Sequence, residues 1–161
     1  MKCAIMQPSF IPWPGWFSLL VDSDIFVLLD DVQFSKQSWQ QRNYLLSPSA
    51  EPILISVPVE TKGQKSQLIN EVNIAKTFNR EKLVRQIKQN YSKSYMSKEV
   101  MPIILNILEK TKNEKKLVNL NCEFIFSILS YLGIEKEILK SSQINVRGAR
   151  GEYVANICKY L

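Results

Sequence analysis

The chain has 161 residues, of which 45% are apolar and 22% charged, with only five glycines. This length and composition favour one compact domain and exclude a disordered or fibrous protein. Histidine is absent, which excludes Ser-His and Cys-His nucleophiles and the commonest metal ligand, so any chemistry must use other groups.

The net charge of +6 is unevenly distributed along the chain. Residues 1–60 carry three basic and six acidic side chains, a net −3, whereas residues 61–161 carry eighteen basic and nine acidic, a net +9. The basic side chains are spread along predicted amphipathic helices, for which a solvated face is the usual explanation. RNA binding is the alternative, but interleaved aromatic residues are lacking, so we do not expect nucleic acid as a partner.

Cysteine usage and the N-terminus indicate the compartment. Cys3, Cys122 and Cys158 are odd in number and far apart, and two of them fall at apolar positions of predicted helices. A disulfide framework is therefore not expected, and a reducing cytoplasm fits best. The first residues lack the long apolar run and cleavage site of a signal peptide, and we expect no membrane-spanning segment.

The first predicted elements form a β-loop-α-β unit. Residues 2–6 are a short apolar run that stops before a proline, which is typical of a buried strand. The loop PSFIPWPG follows, and its three prolines make it stiff, as suits a binding loop. A short helix is predicted at 16–21 and a second apolar strand at 25–29, closed by Asp30 and Asp31. This start is Rossmann-like.

Further strands precede the helical part of the chain. Residues 52–59 are predicted to form a strand and residues 72–74 a shorter one, with a polar loop at 61–67 between them. Apolar residues then recur at helical spacing in two segments, for which Asn79 and Ser97 are the expected N-caps.

The last third of the chain contains a helix, a strand and a final helix by the same reasoning. An apolar stripe along the third helix stops at Gly133, a typical C-terminal signal. Residues 137–140 are predicted to return as a strand, and a last helix begins at about Ala149. We therefore predict an α/β fold with a small mixed sheet formed mainly by the N-terminal half and a helix-rich C-terminal half.

The most unusual local composition lies between residues 7 and 43, which contain all three tryptophans. Ligands of open α/β sheets bind beyond the carboxyl ends of the strands, where the proline loop and the aspartate pair are both placed. The two loops should therefore meet. We expect a single recess whose candidate catalytic residues are Asp30 and Asp31, and whose candidate substrate-binding residues are Gln7, Trp13, Gln33, Trp39, Arg42 and Asn43.

The two aspartates have different possible roles. Adjacent carboxylates point different ways on an extended chain, so Asp30 and Asp31 are not expected to form one dyad. A carboxyl group that faces the pocket and is partly desolvated has a raised pKa and can take a proton from an amine or hydroxyl. Alternatively, Asp31 is a turn or helix cap. Ser141 and Ser142 can receive an anion, with a cap or turn role as the simpler alternative.

The polar and aromatic candidates also have two interpretations each. Arg42 can hold a phosphate or carboxylate in a fork, and Asn43 can bond a sugar hydroxyl or an amide. Alternatively, Arg42 is a surface charge paired with an aspartate. Trp13 and Trp39 can stack on the face of a sugar or base, and the alternative is packing in the core.

Two linked segments, AIMQPSFIPWPGWFSLL and DIFVLLDDVQFSKQSWQQRNYLL, resemble the opening of the WbqC-like family. The family pattern is roughly QPyyfPyiGYF followed by D.fv.yDDVQf.k..W.nRN. Weaker similarity covers essentially the whole chain. Trp13, Pro14 and Trp16 replace the more usual tyrosine-rich loop, which keeps stacking surface but loses phenolic donors. The matching positions are Gln7, Pro8, Pro12, Gly15, Asp24, Asp30, Asp31, Val32, Gln33, Trp39, Arg42 and Asn43.

The resemblance implies a cytoplasmic role in bacterial surface-polysaccharide or O-antigen biosynthesis. One hypothesis is a transferase that moves an acyl or aminoacyl group onto the amine of a sugar nucleotide, with Asp30 or Asp31 as base and with Arg42 and Asn43 positioning substrate. The other is a non-catalytic module that binds a sugar nucleotide or a protein partner of the pathway. No cofactor or metal is expected. Family members usually run further, so we expect one WbqC-like domain over 1–161, shortened at its C-terminus.

Overall fold

A computed structural model describes residues 1–61, 63 and 66–161, and within these residues the chain forms five strands and five α-helices. The predicted α/β class and β-loop-α-β start are confirmed. The polar loop predicted at 61–67 lies partly outside the described residues. The strands are β1 (Cys3–Met6), β2 (Ile25–Leu28), β3 (Arg42–Leu46), β4 (Pro52–Ser56) and β5 (Ile138–Lys140). The helices are α1 (Pro14–Asp22), α2 (Arg80–Tyr91), α3 (Ser97–Lys110), α4 (Leu117–Tyr131) and α5 (Arg150–Tyr160).

The main sheet has the order β1-β2-β5, and both pairings are parallel. Met6 lies opposite Leu28, which in turn lies opposite Lys140. The central strand β2 is a continuous apolar run because a parallel strand is covered on both faces. The carboxyl ends of all three strands therefore lie at one edge, and the loops that follow them are neighbours.

Two apolar layers cover the two faces of this sheet, because successive side chains of β2 point in opposite directions. Phe26 packs into the larger core with Phe10, Trp16, Leu20 and Phe124. Val27 points to the other face, where the last part of the chain covers it with Ile144, Tyr153 and Ile157. The helix α5 is thus placed beside the loop that follows β2.

A separate antiparallel hairpin of β3 and β4 makes up the second sheet. The parallel and antiparallel strands therefore divide between two sheets and do not share one. The strand at 42–46 was not predicted. The predicted strand at 52–59 ends at Ser56, and the predicted strand at 72–74 makes only isolated bridges, from Asn73 and Ile74.

The helix boundaries agree with the sequence signals in most cases. The helix α1 begins at Pro14, two residues before the predicted start, because proline suits the first helical position. Asn79 is confirmed as an N-cap, since its side chain accepts a hydrogen bond from the Lys82 amide at 2.8 Å. The prediction for Ser97 is wrong: it is already helical, and Met96 occupies the cap position. Gly133, with φ of +65°, confirms the predicted end of α4.

The three cysteines are free thiols. Cys122 is buried, whereas Cys158 is exposed and does not occupy the apolar position predicted for it. Among the helices of the described residues, none has the length and apolar character needed to cross a membrane.

Trp16 and Trp13 provide a matched test of this core. Trp16 is fully buried, with its ring centroid 4.8 Å from that of Phe26, and its indole N–H donates to the Gln7 carbonyl at 3.3 Å. We expect Trp16→Ala to lower the free energy of unfolding by about 3–5 kcal/mol, because it leaves a large cavity. Trp13→Ala should lower it by less than about 1 kcal/mol, because the side chain is exposed. Urea denaturation followed by circular dichroism measures both values, and similar losses for the two variants would contradict the assignment.

Candidate functional site

Three loops meet at the carboxyl edge of the parallel sheet. Gln7 follows β1, Asp30 closely follows β2, and Ser141 follows β5 directly. The Leu29 amide donates to the Met6 carbonyl at 2.9 Å, which holds the first two loops side by side. The prediction that these loops meet is therefore confirmed, and the third loop comes from a part of the chain more than 100 residues away.

An aromatic recess with a volume of about 390 Å³ lies at the end of β1. Trp13 is 67% exposed and Trp39 is 56% exposed, although tryptophan is usually well buried. Trp16 forms the buried part of the lining. The recess presents indole surface and carries no ionisable side chain among its lining residues, which are Met6, Ser9, Pro12, Trp13, Trp16, Trp39 and Asn43.

Neighbouring residues fix the orientation of the two exposed indoles. The Trp13 ring lies over Gly15, where a Cβ atom would come within 2.0 Å of the ring, so a larger residue would displace it. The Trp39 ring makes an edge contact with Tyr44, with centroids 5.9 Å apart. The sequence therefore places both tryptophans at the rim of the recess in defined orientations.

Asn43 holds the proline loop in place. Its amide nitrogen donates to the carbonyls of Phe10, at 3.1 Å, and Ile11, and its oxygen accepts from the Tyr44 amide at 2.7 Å. Ile11 has φ of +48°, a left-handed conformation that is strained for a β-branched residue and costs about 1–3 kcal/mol. The side-chain amide of Asn43 thus holds a strained loop. Binding of a sugar hydroxyl by Asn43 stays a prediction.

Asp30 is 2% exposed and its carboxylate is well supplied with hydrogen-bond donors. It accepts from the Ser142 amide at 3.0 Å and the Ser142 hydroxyl at 2.9 Å, and it lies 3.2 Å from the Ser141 hydroxyl. The Asp30 amide in turn donates to the Ser141 oxygen at 3.0 Å. These bonds fix the turn after β5 against the end of β2, so the turn role considered for the two serines is confirmed.

Asp31 is half-buried and lies beside Asp30. Its two carboxylate oxygens accept from the hydroxyls of Ser141 and Tyr153, the latter at 2.6 Å. The two aspartates were expected to point different ways, but both reach the Ser141 hydroxyl. The reason is that the chain bends at Asp31, so the alternation of an extended strand no longer applies.

Tyr153 is placed against Asp31 by the helix α5. Gly148 allows the preceding chain to approach closely, since a Cβ atom there would lie 2.8 Å from the Tyr153 Cα. Burial raises the pKa of Tyr153 to about 12, and its hydrogen bond to the Asp31 carboxylate adds to the effect. The phenol therefore stays protonated and donates to Asp31 at neutral pH.

The remaining predicted site residues lie outside these two groups in the described contacts. Gln7 is exposed, and its side-chain oxygen accepts from Gln40 at 2.8 Å. Gln33 is exposed and pairs with Leu68 in an isolated bridge. Arg42 begins β3, and because strand side chains alternate, it points to the face opposite Asn43.

The single recess expected for all these residues is not formed: Trp13, Trp39 and Asn43 line one recess, whereas Asp30 and Asp31 lie in a separate cluster one strand away. Their roles in binding and catalysis stay predictions. Within the described part of the chain, no group of three or more Cys, Asp or Glu side chains is arranged to hold a metal ion.

Sequence reasoning missed three residues that shape the site. Tyr153 was not among the predicted site residues, and its hydroxyl bond to Asp31 spans 122 residues, so no local pattern could reveal it. Gln40 and Asn121 are both buried and polar. Asn121 did leave a signal, because it interrupts the apolar face of α4.

A parallel sheet with a recess and a carboxylate cluster at its carboxyl edge defines an α/β protein with a candidate small-molecule site. The sequence profile of the WbqC-like protein family matches residues 7–161, and this chain belongs to that family. It is 33% identical over 159 residues to the uncharacterized protein Rv1507c of Mycobacterium tuberculosis, covering 98% of this chain and 68% of the relative. No solved structure matches the chain.

Tyr153→Phe tests the phenol-carboxylate bond through the pH dependence of stability. The pKa is about 12 in the folded protein and about 10 in an unfolded chain, so the native state binds more protons between these values. The protonated Tyr153 hydroxyl therefore contributes its full share to the free energy of unfolding below about pH 10, and this share is lost as pH rises towards about 12. We expect the variant to be about 1–3 kcal/mol less stable at neutral pH, and the difference from the parent protein to shrink above about pH 10.

Urea denaturation at several pH values measures this difference. Tyr160→Phe is the matched control, because Tyr160 is exposed and loss of its hydroxyl should change the free energy of unfolding little. A stability difference between Tyr153→Phe and the parent protein that stays constant up to about pH 12 would contradict the raised pKa of Tyr153.

Proposed function

We propose that this chain binds a sugar nucleotide in the aromatic recess and acts in bacterial surface-polysaccharide biosynthesis in the cytoplasm. The observation that carries the proposal is the pair of exposed indoles, Trp13 and Trp39, at the rim of one recess. Indole faces stack well on sugar rings and nucleobases. The volume of about 390 Å³ falls within the range of about 300–1,000 Å³ that is usual for small-molecule sites.

The lack of charged side chains in the recess limits which part of the ligand can bind there. Its lining contains no ionisable side chain, so nothing there compensates the charge of a phosphate. The recess therefore suits a neutral ring, either the sugar or the base. The pathway is inferred from the family resemblance, and the free thiols are consistent with a reducing compartment.

Binding is tested by removing each exposed indole in turn. Trp13→Ala and Trp39→Ala should each weaken the affinity for a sugar nucleotide by about tenfold or more, because a stacked ring is worth about 1–3 kcal/mol. Isothermal titration calorimetry with a panel of uridine- and thymidine-diphosphate amino sugars measures the affinities. Tyr160→Ala is the control for loss of an exposed aromatic residue elsewhere. Equal affinity in all variants would contradict binding in the recess.

A second candidate function is transfer of an acyl or aminoacyl group to the amine of that sugar nucleotide. The observation that favours it is the position of Asp31 at the same edge of the sheet, half-buried and less enclosed than Asp30. Asp30 is 2% exposed and accepts two hydrogen bonds from Ser142, so the more exposed Asp31 is the better candidate for the base. Asp31 would accept the proton released when the amine attacks the acyl carbonyl of an acyl-coenzyme A donor, and would return it to the coenzyme A thiolate that leaves as the acyl–sulfur bond breaks. If no transfer occurs, the chain is a binding module of the pathway.

Asp31→Asn separates the catalytic role from binding. We expect mass spectrometry to show an acylated amino-sugar nucleotide with the parent protein and an acyl-coenzyme A or aminoacyl donor. The rate should fall by about 10²–10⁴-fold in the variant, because a general base contributes that much, while the affinity for the sugar nucleotide stays similar. Asp24→Asn, an exposed carboxylate, is the control. Full transfer activity in Asp31→Asn would exclude this base, and binding heat without product in the parent protein would favour the module.

A further inference from the structure

The two segments that carry the exposed tryptophans are joined to each other by hydrogen bonds. The Phe10 amide donates to the Trp39 carbonyl at 2.8 Å. The Gln40 side-chain amide donates to the Gln7 side-chain oxygen, also at 2.8 Å. The loop after β1 and the segment before β3 therefore contact each other at two points, and their relative position sets the distance between the two indoles.

Asn121 connects both segments to the core. It lies in the second turn of α4 and is 0% exposed. Its side-chain nitrogen donates to the Pro8 carbonyl at 3.0 Å and to the Gln40 carbonyl at 2.8 Å. One amide group thus uses both of its donors to hold one carbonyl from each tryptophan-bearing segment.

The surroundings of Asn121 indicate that its side chain is there to donate these two hydrogen bonds. Asn121 lies in the otherwise mostly apolar buried stripe of α4, and its own oxygen has no hydrogen-bond partner in the described structure. A buried acceptor without a partner destabilises the fold. A leucine would avoid that penalty but would leave the carbonyls of Pro8 and Gln40 without these two donors, so the asparagine serves the two segments rather than the packing of α4.

We propose that Asn121 is a positioning residue that sets the spacing of Trp13 and Trp39 across the recess. Its effect on ligand affinity rests on the proposed function, whereas its effect on the two indoles rests on the contacts alone. Asn121 touches neither indole in the described hydrogen bonds and acts through the carbonyls of Pro8 and Gln40.

The test uses the full chain labelled with 5-fluorotryptophan, whose three tryptophans give separate fluorine NMR signals that single Trp→Phe variants assign. Asn121→Leu removes both donors with a similar side-chain volume. We expect the signals of Trp13 and Trp39 to shift or broaden relative to their positions in the parent protein. Asn119→Leu is the matched control, because it makes the same change at an exposed position of the same helix.

A second control separates positioning from general loss of stability. Leu129 is buried on the same helix, about 12 Å further along its axis, and Leu129→Ala should lower Tm without reaching the two segments. We expect Asn121→Leu to weaken sugar-nucleotide affinity by about tenfold at a temperature where both variants are folded. Leu129→Ala should keep both the parent affinity and the parent signals of Trp13 and Trp39.

The outcomes are distinguishable. Unchanged signals of Trp13 and Trp39 in Asn121→Leu would overturn the proposal, as would equal changes in Leu129→Ala. If the parent protein binds no sugar nucleotide but Asn121→Leu moves both signals selectively, the proposed function fails and the positioning role stands. Selective movement together with weaker binding supports both.

Discussion

Parallel pairing of β2 with both of its neighbours is the constraint on which the site depends. It places the ends of three strands at one edge, although β5 lies more than 100 residues after β2 in the chain. The pairing with β1 positions the proline loop, and the pairing with β5 brings Ser141 and Ser142 to Asp30. A buried carboxylate needs such donors. The sheet and the cluster at its edge therefore stabilise each other.

The edge of the sheet is divided into two environments with different chemistry. On the β1 side, indole rings surround a neutral recess, and side-chain amides from Asn43 and Asn121 hold the backbone that carries them. On the β5 side, hydroxyl groups hold two carboxylates. The aromatic rings and the two acidic side chains thus lie in separate surroundings at the same edge of the sheet.

Local sequence patterns were sufficient for β1, α1, β2 and the edge at which their loops meet, because apolar runs and prolines are local signals. They were insufficient for β3, since its first residues, Arg42 and Asn43, are polar and match a family motif rather than a strand pattern. Exposure of Trp13 and Trp39 could not be decided from composition, because tryptophan is more often buried. The partners of Asp31 are 110 and 122 residues away, and such contacts depend on how the whole chain packs.

The single hydroxyl group of Ser141 faces two acids, and it has only one proton to share. While that proton points to Asp31, Asp30 relies on Ser142 alone. In the proposed transfer reaction, the amine bound at Asp31 would supply its own hydrogen, and the Ser141 hydroxyl would then turn towards Asp30 without any movement of the backbone. Binding of the amine at Asp31 would in this way change the hydrogen bonding of Asp30, through rotation of the single O–H bond of Ser141.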